Sequence, residues 1–141
     1  MTRRRLLAAA AVTALASLGF GAMPAQAGET LDYEPGLIRQ ALDDGKTVFV
    51  DYAAVWCSTC QRQERVIDAL RTSDPRYDQA MIFVRVDWDL YGSDPVATER
   101  NIPRRSTLIV LRGDQELGRL VAGTGQSAIK ALMDKGLEAG A

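Results

Sequence analysis

The run Val48-Phe49-Val50-Asp51-Tyr52 gives way to Ala53-Ala54-Val55 and then to Trp56-Cys57-Ser58-Thr59-Cys60, and no other stretch restricts the fold as tightly. The near-continuous apolar character of residues 46–52 reads as a strand covered on both faces, because a strand with one wet face alternates apolar and polar residues. After Cys57 the spacing becomes helical. Val66, Ile67 and Leu70 form an apolar stripe, and Arg62, Glu64, Arg65 and Asp68 lie largely off it as a solvated face. Two cysteines three apart therefore stand at a strand-to-helix junction. They are the only cysteines in the chain, which has no histidine. At a helix start Cys57 meets free backbone N–H groups and the positive end of the helix dipole, both of which favour a thiolate. Cys60, one turn on, is placed to attack a mixed disulfide formed at Cys57. Such spacing at such a junction reads as a dithiol redox site.

Other uses of the pair fit less well. A structural disulfide gains stability with the length of the loop it closes, and this loop is about as short as loops come. A closed zinc site needs four ligands, and the chain offers two cysteines and no histidine.

With Trp56 before the first cysteine and Asp51 six residues upstream, the stretch resembles the active site of the thioredoxin family. The likeness runs from about Lys46 to Met133 and includes the Thr107-Leu108-Ile109-Val110 strand, the Gly113-Asp114 turn and a Gly-bearing stretch at Leu120–Gly123. It implies that Cys57 attacks, Cys60 resolves, Trp56 covers the site, and Asp51 is buried behind the disulfide as the base for Cys60. Burial would raise the pKa of such a carboxyl toward the working range. Read without the family, Asp51 is equally a solvated carboxylate at a strand end, since buried Asp is uncommon unless paired. Arg85 falls about where thioredoxins place a Lys near that Asp, and also reads as a half-exposed strand arginine.

Residues 1–27 combine Arg3, Arg4 and Arg5, an apolar Ala-rich stretch from Leu6 to Phe20, and Ala25-Gln26-Ala27. That is the plan of a secretory signal peptide, and Thr2-Arg3-Arg4-Arg5-Leu6-Leu7 also resembles a twin-arginine signal. An uncleaved membrane anchor is the alternative, for which the apolar run is short. Cleavage near Ala27 leaves 28–141, 114 residues with 14 basic and 18 acidic side chains, enough for one thioredoxin-like domain. The expected location is periplasmic or otherwise exported. A mildly acidic chain without a basic stripe argues against a nucleic-acid partner.

The rest of the chain reads as a helix at about 35–44, the Lys46–Tyr52 strand, the Cys57–Leu70 helix, and a Met81–Asp87 strand after the Ser73-Asp74-Pro75 break. A loop at Trp88–Ser93 and a short helix from Asp94-Pro95 to about Arg100 follow. Strands Thr107–Arg112 and Glu116–Ala122 then flank Gly113-Asp114-Gln115, and a closing helix runs from Gln126 with Gly136 near its end. The expected class is α/β, a thioredoxin fold with a central mixed sheet of about four strands and helices on both faces.

One departure stands out. Thioredoxins place a cis-proline directly before the Thr of the third core strand, against the disulfide. Aligned through Thr107, that position is Ser106; the alternative is Pro103, followed by the three extra residues Arg104, Arg105 and Ser106. A cis bond before a non-proline residue costs roughly 2.5–4 kcal/mol, so Arg105–Ser106 is expected to be trans. Arg105, Ser106 and Thr107 join Trp56 as the surround of the site. A serine there also opens space near two soft sulfurs, which suits Cu(I).

Three functions follow. The first is a thiol–disulfide oxidoreductase needing no cofactor beyond the Cys57–Cys60 disulfide; it acts as a monomer on exported protein thiols and disulfides, with a membrane-bound redox partner. The second is a Cu(I)-handling module using Cys57 and Cys60, and the third an interaction protein with incidental redox activity.

Overall fold

The computed structural model describes residues 28–140; the expected signal segment and the expected cleavage near Ala27 lie outside them. In chain order the elements are β1 (Thr30–Asp32), α1 (Leu37–Asp43), β2 (Thr47–Ala53), α2 (Ser58–Ser73), α3 (Arg76–Ala80), β3 (Met81–Asp87), α4 (Trp88–Tyr91), α5 (Pro95–Thr98), β4 (Thr107–Arg112), β5 (Gln115–Val121) and α6 (Gln126–Gly140). The sheet order is β1-β3-β2-β4-β5. β2 runs parallel to β3 through the α2–α3 crossover and antiparallel to β4, and β4 and β5 form a hairpin. This is the thioredoxin fold.

β2 is buried along its whole length because it lies at the centre of the sheet with helices on both sides. Its alternate side chains feed two cores, as period-two geometry demands. Val48, Val50 and Tyr52 pack with Ile38 and Ala41 of α1, Val84 and Val86 of β3, and Ile109 and Leu111 of β4. Phe49 packs on the other face with Ile67 and Leu70 of α2 and Ile129, Leu132 and Met133 of α6. Asp51 falls on the Phe49 face, under α2, opposite Arg85 of β3 and Leu108 of β4.

The structure corrects several expectations. The sheet has five strands instead of about four, because Thr30–Asp32 adds a parallel edge to β3. Three residues are too few to show an alternating pattern in the sequence. Trp88–Tyr91, expected as loop, makes one helical turn, helped by Asp87, whose carboxylate accepts from the Asp89 N–H at 2.9 Å. The β4–β5 connection is two residues, Gly113-Asp114, with Gly113 at φ 58° where a side chain would be strained. Gly136 is buried near the end of α6, where it was expected.

Candidate active site

The strand end and helix start place the two sulfurs. Beyond β2 the chain passes Ala53 and Ala54, and the Cys57 N–H donates to the Ala54 carbonyl at 3.1 Å. Cys57 is the N-cap of α2, in extended backbone geometry, and its carbonyl accepts the first helical bond from Gln61. Its sulfur accepts from the Cys60 N–H at 3.3 Å, the role that a Ser or Asp oxygen plays at ordinary N-caps. Both thiols are free and buried, packed with Ala53, Ala54 and Trp88.

Ser106 faces both sulfurs. Its Oγ lies 3.3 Å from Cys57 Sγ and 3.1 Å from Cys60 Sγ. Its N–H donates to Tyr52 O at 2.7 Å, and its carbonyl accepts from Ala122 N at 2.8 Å and from Gln63 Nε2 at 3.0 Å. These bonds hold it at φ 63°, and no peptide bond among the described residues is cis. The trans expectation for Arg105–Ser106 is met. The room expected beside the sulfurs is faced by a hydroxyl hydrogen-bonded to each of them.

The electrostatics separate the thiols. Burial works against a thiolate at Cys57. Hydrogen bonds from Cys60, Ser106 Oγ, the Cys60 N–H and Arg105 outweigh it and bring the pKa down from 9.0 to about 6. Burial pushes the Cys60 thiol up, and its neighbour Cys57 pushes it further. Asp51 is raised from 3.8 to about 7, first by burial; Arg85 opposes that shift, and Glu64, Asp68 and Cys57 add to it. One Asp51 oxygen, Oδ1, is buried without a hydrogen-bond partner, as suits a carboxyl that carries a proton for part of the time. A cleft bounded by Asp51, Glu64, Asp68 and Arg85 lies beside it. Asp51 is thus buried and not a solvated strand end. Arg85 is part exposed and pairs with Glu64 at 3.3 Å.

The surround is polar as well as aromatic. Trp56, directly before Cys57, is 58% exposed. Its Nε1 donates to Asp89 at 2.9 Å, and the Arg105 guanidinium lies 4.5 Å from its ring centroid. Thr107 is buried next to Ser106, its hydroxyl donating to the Arg104 carbonyl at 2.7 Å. Pro103 is exposed and lies against neither sulfur in the hydrogen-bonded group around Ser106. Sequence reasoning missed Gln63 and Asp89. Gln63 is fully buried and its amide also reaches Gly123 O at 2.9 Å, tying α2 to the loops on either side of the β4–β5 hairpin. Its signal was the spacing of Cys60, Gln63, Ile67 and Leu70, which together form the buried stripe of α2.

Comparison with known proteins agrees with this geometry. A family model described as thioredoxin-like matches residues 29–119. Thioredoxin H5 of Oryza sativa subsp. japonica is 26% identical over 116 residues, covering 73% of this chain and 82% of that protein. Among solved structures, Trxlp from Edwardsiella tarda EIB202 is 31% identical with a TM-score of 0.61, over 73% of this chain and 98% of that one. The thioredoxin of Malassezia sympodialis shares the fold at a TM-score of 0.67 and 22% identity, over 79% and 94% of the two chains. The chain belongs to the thioredoxin family and is a thiol–disulfide oxidoreductase.

Proposed function

We propose that this oxidoreductase is exported and works in the periplasm or an equivalent compartment, exchanging disulfides with exported proteins. Export is supported by the arginines, apolar stretch and Ala25-Gln26-Ala27 of residues 1–27. The chemistry is carried by one observation, the convergence of Ser106 Oγ and the Cys60 N–H on Cys57 Sγ. Cys57 is the nucleophile at neutral pH because it is the thiol held as thiolate.

In the reducing direction, Cys57 thiolate attacks one sulfur of a substrate disulfide. A Cys57–substrate S–S bond forms, the substrate's own S–S bond breaks, and the departing sulfur takes up a proton. Cys60 then passes its proton to Asp51 and attacks Cys57 Sγ, expelling the second substrate thiol. Two electrons have moved to the substrate and Cys57–Cys60 is a disulfide. The reverse sequence oxidises a substrate dithiol, and the potential of the pair relative to its partners sets the direction. A membrane-bound redox partner resets the pair, no further cofactor is required, and the protein acts as a monomer. Trp56, Arg105, Ser106 and Thr107 border the place where the substrate sulfur enters.

Turnover of insulin disulfides tests the reading. Cys57→Ser should abolish it, and Cys60→Ser should leave a protein that accumulates mixed disulfides with substrate. Trapping by Cys57→Ser instead would reverse the roles. Copper handling is the second reading, favoured by two soft sulfurs side by side in a buried site. Among the described residues no cluster of three or more His, Cys, Asp or Glu could hold a metal, so Cu(I) would rest on the two thiols. Tight Cu(I) binding by a reduced protein that turns over no disulfide would favour copper.

A further inference from the structure

Arg71 is a charged residue of α2 with 1% of its surface exposed. Its guanidinium lies 4.0 Å from the Phe83 ring centroid and divides its donors between Asp78 of α3 and residues 28–30. Nε donates to Asp78 Oδ1 at 2.8 Å, Nη1 to Thr30 Oγ1 at 2.7 Å, and Nη2 to the carbonyls of Gly28 at 2.7 Å and Glu29 at 3.1 Å. The other oxygen of Asp78 accepts from the Gly28 nitrogen at 2.8 Å. Both backbone groups of Gly28 are therefore held by a built pocket. A Cβ on residue 28 would sit 2.8 Å from Asp78 Cγ and Oδ1, closer than such atoms approach, so the pocket accepts glycine.

The charges in this pocket do not balance. Arg71 faces two carboxylates, Asp78 at 2.7 Å and Asp68 at 3.9 Å. The cluster around Arg71 is thus one positive group against two negative ones, Asp78 of α3 and Asp68 of α2, and the Gly28 nitrogen touches it through Asp78. A second cation at the position of the Gly28 nitrogen would neutralise the cluster.

We propose that this pocket is the receptor for the protein's own processed N-terminus, with Gly28 as the first residue of the mature chain. The inference rests on the export reading above. An endopeptidase of the signal-peptidase class hydrolyses the Ala27–Gly28 bond; water supplies the hydroxyl of the new Ala27 carboxyl and a proton to the new Gly28 amine. The amine, protonated, keeps its contact with Asp78 Oδ2 as a charged pair in place of an amide hydrogen bond. Processing thus completes the charge cluster and fixes the segment leading into β1, the edge of the sheet beside β3.

The test uses the full chain exported through its own leader by a bacterial host. Intact mass gives the N-terminus, and the pH dependence of α-amine acetylation, read at the N-terminal peptide, gives its pKa. The mature protein should begin at Gly28. Its amine should titrate above the ordinary α-amino range of about 7.7–8.0, because an adjacent carboxylate favours the charged form. At neutral pH it should acetylate several-fold more slowly than the amine of Asp78→Asn or of Gly28→Ala. The second variant leaves the Arg71–Asp78 pair whole, so it decides the matter if Asp78→Asn does not fold. A chain retained from Met1 would overturn the export reading and this one with it. Processing at another bond, or equal acetylation rates in all the folded proteins, would overturn this inference alone.

Discussion

Ser106 occupies the left-handed region at φ 63°, which costs a residue with a Cβ about 1–3 kcal/mol unless its surroundings hold it there. Tyr52, Ala122 and Gln63 hold its backbone, and the hydroxyl is left to serve the sulfurs. A donor aimed at Cys57 stabilises the thiolate, hence the reduced form, and makes the disulfide the stronger oxidant. In the mechanism proposed above, Asp51 serves the other thiol. A pKa of about 7 would suit it to accept the Cys60 proton near neutral pH, in a chain without histidine. Asp51→Asn should slow resolution by Cys60 by about 10²-fold or more, the usual worth of a positioned base, and leave the first attack by Cys57 far less affected. Single-turnover kinetics following mixed-disulfide decay would check this; unchanged decay would remove Asp51 from the mechanism.

At the scale of elements, α2 is the part that organises the site. It carries Cys57 at its cap, Cys60 in its first turn, and Gln63 bridging to the Ser106 and Gly123 carbonyls. Gln63→Leu should destabilise the protein by about 1–3 kcal/mol, since carbonyls would lose a buried donor, and should raise the Cys57 pKa as Ser106 loosens. Urea unfolding with a thiol titration would show whether the two effects travel together. β2, α2 and the β4–β5 hairpin were legible in the sequence because burial on both faces, helical spacing and turn chemistry each leave a local pattern. The Ser106 position could be found because Thr107-Leu108-Ile109-Val110 anchors the register. What Gln63 and Arg71 bond to was not legible: a polar residue on a helix reads as solvated until its partners are known, and Ser106 and Gly28 each lie 43 residues away along the chain. The β1 edge escaped for the same reason, since its pairing with β3 is entirely non-local.

For the whole molecule, two titrations should shape stability against pH. Asp51 has a folded pKa above its unfolded value, so its contribution is full below about 3.8 and is lost as pH rises toward about 7. Cys57 in the reduced protein is shifted the other way, so stability is gained as pH rises from about 6 toward 9.0. Urea unfolding of the reduced protein should show stability falling between acid and neutral pH and recovering above it, and Asp51→Asn should flatten the fall. A fall that persists in Asp51→Asn would assign it to other groups. The account as a whole rests on the inequality of the two thiols. The direct measurement is the rate of alkylation at each cysteine of the reduced protein across pH, resolved by peptide mapping, in the wild type and in Ser106→Ala. Cys57 should react with an apparent pKa near 6 and Cys60 only above 9.0, and loss of the Ser106 hydroxyl should move Cys57 upward. Equal titration of both cysteines near 9.0, or earlier reaction at Cys60, would contradict the account.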